Sequence, residues 1–199
     1  MTIRRGQPWG ETVPPPDDLV TVTSDADLAR LVEAGERRPI RIVGGDLLAS
    51  LGGAASDGQV RELPLDIIEG RADGEGFIAV AHVVARSPGR TGWWRGPIVA
   101  VANVDHLGRW DLAPRAHPND GLLDVVEVDT AMSVRARWQA WRRLPTGTHV
   151  PHPSIRTTRT TAASWDLDHP TALWVDGVER GRVRSLAVTV RPDHVIVYA

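Results

Sequence analysis

The residues of this 199-residue sequence that could carry chemistry are carboxylates set beside glycine and imidazoles set close together. Asp46 closes Gly44-Gly45-Asp46, Asp120 lies in Pro118-Asn119-Asp120-Gly121, and Asp176 lies in Trp174-Val175-Asp176-Gly177. The last two are ordinary turn sequences that happen to present a carboxylate. His149 and His152 are three apart, with His117 upstream, which raises zinc as a possibility. However, Pro145, Pro151 and Pro153 make their segment a loop, with no helical face to align the imidazoles. They read as loop-packing or substrate-adjacent residues. Other chemistries are excluded by composition. All 23 basic side chains are arginine, so neither a lysine Schiff base nor a Walker-type phosphate lysine exists. Cysteine is absent, which removes thiolate nucleophiles, disulfides and Cys-containing zinc sites.

The elements that position these residues change character along the chain. Residues 1–18, with Pro14-Pro15-Pro16 and Asp17-Asp18, read as a flexible tail. Residues 19–58 read as a small α/β segment. Leu19–Val22 is strand-like, Ser24 is an N-cap, and Leu28, Leu31 and Val32 have helical spacing that Gly35 ends. Pro39–Val43 is a second strand that delivers Gly44-Gly45-Asp46 to a short helical turn over 47–51. From about residue 60, short β-like runs recur between Gly, Pro, Asn and Asp clusters: 63–68, 77–85, 98–103, 122–128, 173–175, 186–190 and 195–198. That rhythm predicts an antiparallel sandwich or barrel over 59–199, interrupted by one helix over 131–143. The fold class is therefore α+β, mainly β. On the helix, Val134, Trp138 and Trp141 form an apolar stripe expected to cover the sandwich; an Arg/Trp face of this kind could also lie on an anionic membrane. Trp93-Trp94 cannot both face one side of a strand, so one is expected at an edge or in solvent.

A net charge of -2 gives no footing for non-specific nucleic-acid binding. The first ten residues lack the apolar core of a signal peptide, and no apolar run approaches the roughly 20 residues of a membrane span. The expectation is a cytoplasmic protein with at most peripheral membrane contact; oligomeric state is not legible.

The stretch NVDHLGRWDLAPRAHPNDGLLD, from Asn103 to Asp124, resembles the signature of the diacylglycerol-kinase-like lipid kinases, relatives of the sphingosine kinases. The resemblance continues through Gly147-Thr148-His149, His152-Pro153 and the Val175-Asp176-Gly177 hairpin, and spans about residues 60–199. It implies a β-sandwich coupled to an α/β nucleotide domain, with ATP as phosphoryl donor and the hydroxyl of a diacylglycerol-like lipid as acceptor. It also assigns sites. Gly44, Gly45 and Asp46 match the start of the family's GGDGT nucleotide loop. Asp120, with the backbone carbonyls of His117 and Leu122, matches a structural Mg²⁺ site, a donor set of hard oxygens suited to that ion. Asp176 and a following glutamate match the carboxylates that act on the attacking hydroxyl.

The sequence also departs from the family. Leu47 and Leu48 stand where the loop has Gly and Thr, and leucine adds bulk where backbone N–H groups must approach phosphate. The α/β segment is short for a nucleotide domain. Val178 occupies the position of the glutamate, and Glu179 comes one residue late, on the opposite side of a strand unless a bulge intervenes. Two functions follow: a lipid-kinase-like phosphotransferase with impaired or lost activity, or a non-catalytic lipid- or protein-binding module.

Overall fold

The computed structural model describes residues 9–53, 58–89 and 91–199. It is mainly antiparallel sheet, as the run of short apolar segments predicts. The elements are β1 (Glu11–Val13), β2 (Val20–Val22), α1 (Asp25–Glu33), β3 (Ile40–Ile42), α2 (Asp46–Ser50), β4 (Val60–Ala72), β5 (Glu75–Ala79), β6 (His82–Arg86), β7 (Ile98–Ala102), β8 (His106–Leu107), β9 (Trp110–Asp111), β10 (Leu123–Val128), α3 (Val134–Arg143), β11 (Ile155–Thr160), β12 (Ala162–Val175) and β13 (Val178–Tyr198).

One sheet runs β1-β4-β13-β12-β6-β7-β10-β11 and curls over itself, with β5 beside β4. Its inner face is the first core, built from alternate residues such as Ile68, Val83, Val101, Leu123, Val125, Leu173, Leu186 and Val188. Gly70 is opposite Phe77 in the β4–β5 ladder, and a side chain there would run into the Phe77 ring, so the glycine lets the ring lie across the strand. The runs at 186–190 and 195–198 belong to a single strand, β13, whose pairing with β4 shifts register between Arg191 and Val195.

The α/β segment is joined to the sandwich through shared sheet. β2 pairs parallel with β3, and β3 pairs parallel with the end of β13 through Ile40↔Val197 and Arg41↔Tyr198. A second core spans the junction, with Leu28, Ile42 and Leu47 on one side and Leu63, Leu65, Val104 and Val197 on the other. The segment read as a tail corrects in part: within 1–18, Glu11–Val13 is a strand antiparallel to β4, and Trp9 donates from Nε1 to the Pro64 carbonyl at 3.2 Å. The free edge of β4 takes up a stretch too short to show an apolar pattern.

The helix α3 also differs from expectation. It packs on the sandwich through Ala136, Ala140 and the following Leu144, while Val134 and Trp138 are about half exposed. The residue it buries is Arg137, whose guanidinium donates to the carbonyls of Met132, Trp93, Gly96 and Asp129. Satisfying four carbonyls at the helix–sandwich seam outweighs burying a tryptophan. Trp93 and Trp94 lie in a turn, both half-buried: Trp93 meets Trp110 edge-on at 5.6 Å and Trp94 is tilted against Trp141 at 6.1 Å.

Candidate functional site

Three carboxylates meet where the α/β segment joins the sandwich. β3 delivers Gly44 and Gly45, and Gly45 takes φ +98°, a conformation that favours glycine. α2 then begins at Asp46. Its first two N–H groups, those of Asp46 and Leu47, donate to the Asp25 carboxylate at 2.7 and 3.2 Å. Asp25 sits in the first turn of α1 and is buried. Burial pushes its pKa up to about 7; the Asp46 N–H opposes this, and the charges of Asp176 and Asp46 add to it. Asp46 in turn accepts from the Gly108 N–H at 2.8 Å, between β8 and β9, and its other oxygen lies 3.7 Å from His82 Nδ1. Burial raises the Asp46 pKa and lowers that of His82 to about 4, so His82 is neutral near pH 7.

Asp176 and Gly177 form a two-residue hairpin turn, both at positive φ. The Asp176 carboxylate accepts from the N–H groups of Val80, Ala81 and His82, each at 2.9 Å, and the Asp176 N–H donates to the His82 carbonyl at 2.9 Å. It therefore pins the β12–β13 hairpin to the corner between β5 and β6, using three of roughly four acceptor sites that a carboxylate offers. Burial raises its pKa against those three bonds. Asn103 secures the same corner, donating to the carbonyls of Asp66 and Val80, both at 2.9 Å. Val178 pairs with Val175 and Glu179 with Trp174, and a register shift follows between Leu173 and Trp174. Cross-strand partners share a sheet face. Glu179 thus lies on the face of Trp174, exposed, where its charge acts on Arg86, whose guanidinium is 3.9 Å from the Trp174 ring centroid. Beside this face is a cleft of about 130 Å³ lined by His82, Arg86, Trp93, Leu107 and Trp174. Nucleotide-sized ligands occupy sites of roughly 300–1,000 Å³.

This arrangement of hairpin, corner and sandwich is matched by known proteins. Residues 72–199 match the model of the YegS C-terminal NAD kinase beta sandwich-like domain, which is well over half of the chain. The chain belongs to that diacylglycerol kinase-like family. Two solved structures of diacylglycerol kinases from Bacillus anthracis str. Sterne have the same fold. One has a TM-score of 0.65 at 12% identity, covering 90% of this chain and 77% of its own; the other has 0.58 at 14%, covering 90% and 75%. At these identities the likeness is one of fold. No curated protein matches the chain.

The family's metal element is Asp120 with the carbonyls of His117 and Leu122. Asp120 Oδ1 accepts from the Leu122 N–H at 3.0 Å, and Oδ2 is paired with Nη2 of Arg159. A guanidinium already paired with this carboxylate would repel a dication, so the side chains as they stand do not fit Mg²⁺. The three histidines are apart in role: His117 lies edge-on to Trp9 and accepts from the Asn119 N–H, His152 accepts from the Ser154 N–H, and His149 is buried beside α3. Among the described residues no group of three or more His, Asp or Glu side chains could hold a metal.

Sequence reasoning missed Asp25 and Asp66. Asp66 lies in Leu65-Asp66-Ile67, fully buried, and accepts from the N–H groups of Gly121 (2.7 Å) and Asp193 (2.9 Å). The signal was available: a carboxylate inside an apolar strand has to find donors. A groove of about 670 Å³ lies elsewhere, between β7, β10 and the bulged part of β12 near Trp165 and Thr171. None of the site residues expected from sequence lines it.

Proposed function

We propose that this family member has impaired or lost phosphoryl transfer from ATP to the hydroxyl of a diacylglycerol-like lipid. The reading rests on one observation: the Asp25 carboxylate is held by the Asp46 and Leu47 N–H groups, where the family's loop would offer N–H groups to phosphate. N–H groups already taken by an internal carboxyl group are not available to an external phosphate, and Leu47 and Leu48 pack into the second core instead of opening the turn. Asp176 is spent on the β5–β6 corner, and Glu179 faces Arg86. The test is a thermal shift with ATP and Mg²⁺, alongside phosphate transfer to diacylglycerol in mixed micelles. Weak or undetectable binding and no transfer at the roughly 1–100 per second of kinases is expected. Robust transfer lost on Glu179→Gln, an exposed position whose change leaves the fold intact, would overturn the proposal.

The second reading is a lipid-binding module acting at membrane surfaces, and α3 favours it. Val134 and Trp138 are exposed beside Arg135, Arg142 and Arg143, with the Arg142 guanidinium 4.9 Å from the Trp138 ring centroid. No described helix is long and apolar enough to cross a membrane. Sedimentation with phosphatidylglycerol vesicles, lost on Trp138→Ala, would support a peripheral role. Equal recovery with neutral and anionic vesicles would count against it.

A further inference from the structure

We propose that Arg159 does in this chain what the family resemblance assigns to Mg²⁺: it is a built-in counter-ion that holds the Asn119-Asp120-Gly121 turn, so this turn needs no divalent cation.

Arg159 is on β11, directly opposite Asp124 on β10 in the antiparallel register. That pairing places its Nε 3.1 Å from Asp124 Oδ2, and its Nη2 reaches over to Asp120 Oδ2. One planar guanidinium thus joins two carboxylates, with donors fixed in a fork that matches both. The site is a built one. Side-chain exposure is 28% for Arg159, 18% for Asp120 and 10% for Asp124, so solvent screens the pairs only in part. Beneath the turn, Asp66 accepts from the Gly121 N–H and donates its own N–H to the Pro118 carbonyl at 2.8 Å. The charges facing Asp120 and Asp124 are those of Asp66, Arg115 and Arg159, with His117 pushed towards its neutral form by burial. Asp120 and Asp124 lie close enough to share one guanidinium, and a half-buried carboxylate pair of this kind is stabilised by a cation in contact with both.

Both solutions supply positive charge to Asp120, and they differ in chemistry. Mg²⁺ requires near-octahedral oxygen ligation, retains waters and can be chelated away. A guanidinium is covalently attached and stays protonated at every accessible pH. The Arg159 solution also ties the turn to β11, the outermost strand of the sheet path, a link that a metal bound only to residues 117–122 would not make.

The experiment compares unfolding midpoints in EDTA and in ~10 mM MgCl₂ for the wild type and Asp120→Asn, then measures Arg159→Gln without metal. The proposal expects no Mg²⁺-dependent rise that depends on Asp120. It also expects Arg159→Gln to lower the midpoint by roughly 5 °C or more near neutral pH. A rise of any size in the wild type that Asp120→Asn abolishes overturns the proposal, since it would reveal a metal on that carboxylate. A rise that Asp120→Asn keeps comes from another site and leaves the expectation met. An unchanged midpoint for Arg159→Gln also overturns it. Should that variant fail to fold, the wild-type and Asp120→Asn arm decides alone.

Discussion

Replacing Asp25 by Asn tests the junction between α/β segment and sandwich through its proton linkage. Asp25 has a folded pKa of about 7 against 3.8 for an unperturbed carboxyl, chiefly because it is buried. A raised carboxyl pKa means the native state holds a proton that the unfolded chain has released. The group therefore contributes stability in full below pH 3.8, and that stability is lost as pH rises through about 7. At about 1.4 kcal/mol per pKa unit the whole span is worth about 4 kcal/mol, of which about 3 kcal/mol falls between pH 4.5 and 7. Asparagine cannot titrate. It keeps one acceptor for the Asp46 or Leu47 N–H and loses the other, which lowers stability by about 1 kcal/mol at acid pH. Urea unfolding at pH 4.5, 5.5, 6.5 and 7.0 should therefore show the wild type losing about 3 kcal/mol more than Asp25→Asn across the range, with equal m-values. The variant should be the more stable protein at pH 7. Parallel pH profiles, agreeing within about 0.5 kcal/mol, would refute the claim that this carboxylate is desolvated against α2 and beside Asp46 and Asp176.

Asp176→Ala leaves the Val80, Ala81 and His82 N–H groups without their acceptor, and a loss of about 3–5 kcal/mol is expected in urea unfolding. Arg137→Leu should lower stability by about 2–4 kcal/mol, because four carbonyls lose their donor; a neutral result would mean that water replaces the guanidinium without penalty. Glu179→Gln, exposed on the Trp174 face, should change stability by less than about 0.5 kcal/mol, read as an unchanged denaturation midpoint.

Much of the sandwich could be read from the alternation of apolar residues, because burial of one sheet face writes a period of two into the sequence. Where that cause is missing, so is the signal. β11 reads Ile-Arg-Thr-Thr-Arg-Thr and borders the sheet with mostly polar side chains, and no strand was expected there. The run 77–85 read as one strand because Val80 and Ala81 are as apolar as their neighbours, yet the chain turns at that point and the Asp176 carboxylate caps the turn. The positions of Asp46 and Asp176 in turns were legible from glycine spacing. Their partners were not, since Asp25 reaches Asp46 across 21 residues of sequence and Val80 reaches Asp176 across 96. Likewise the choice of Arg137 over Trp138 as the buried face of α3 depends on carbonyls contributed by residues 93 and 96, which no helical pattern encodes.

The parallel pairing of β3 with the far end of β13 has a consequence for the order in which the molecule assembles. Ile40 waits for Val197, a partner roughly 150 residues further along the chain, and closing so long a loop is slow. On a ribosome, residues 20–50 emerge long before their neighbour exists, with the apolar faces of Ile40, Ile42 and Leu47 unmatched. The α/β segment should therefore be the last part to gain protection from hydrogen exchange and the first to surrender it. It would behave as a latch that shuts only after the sandwich has formed.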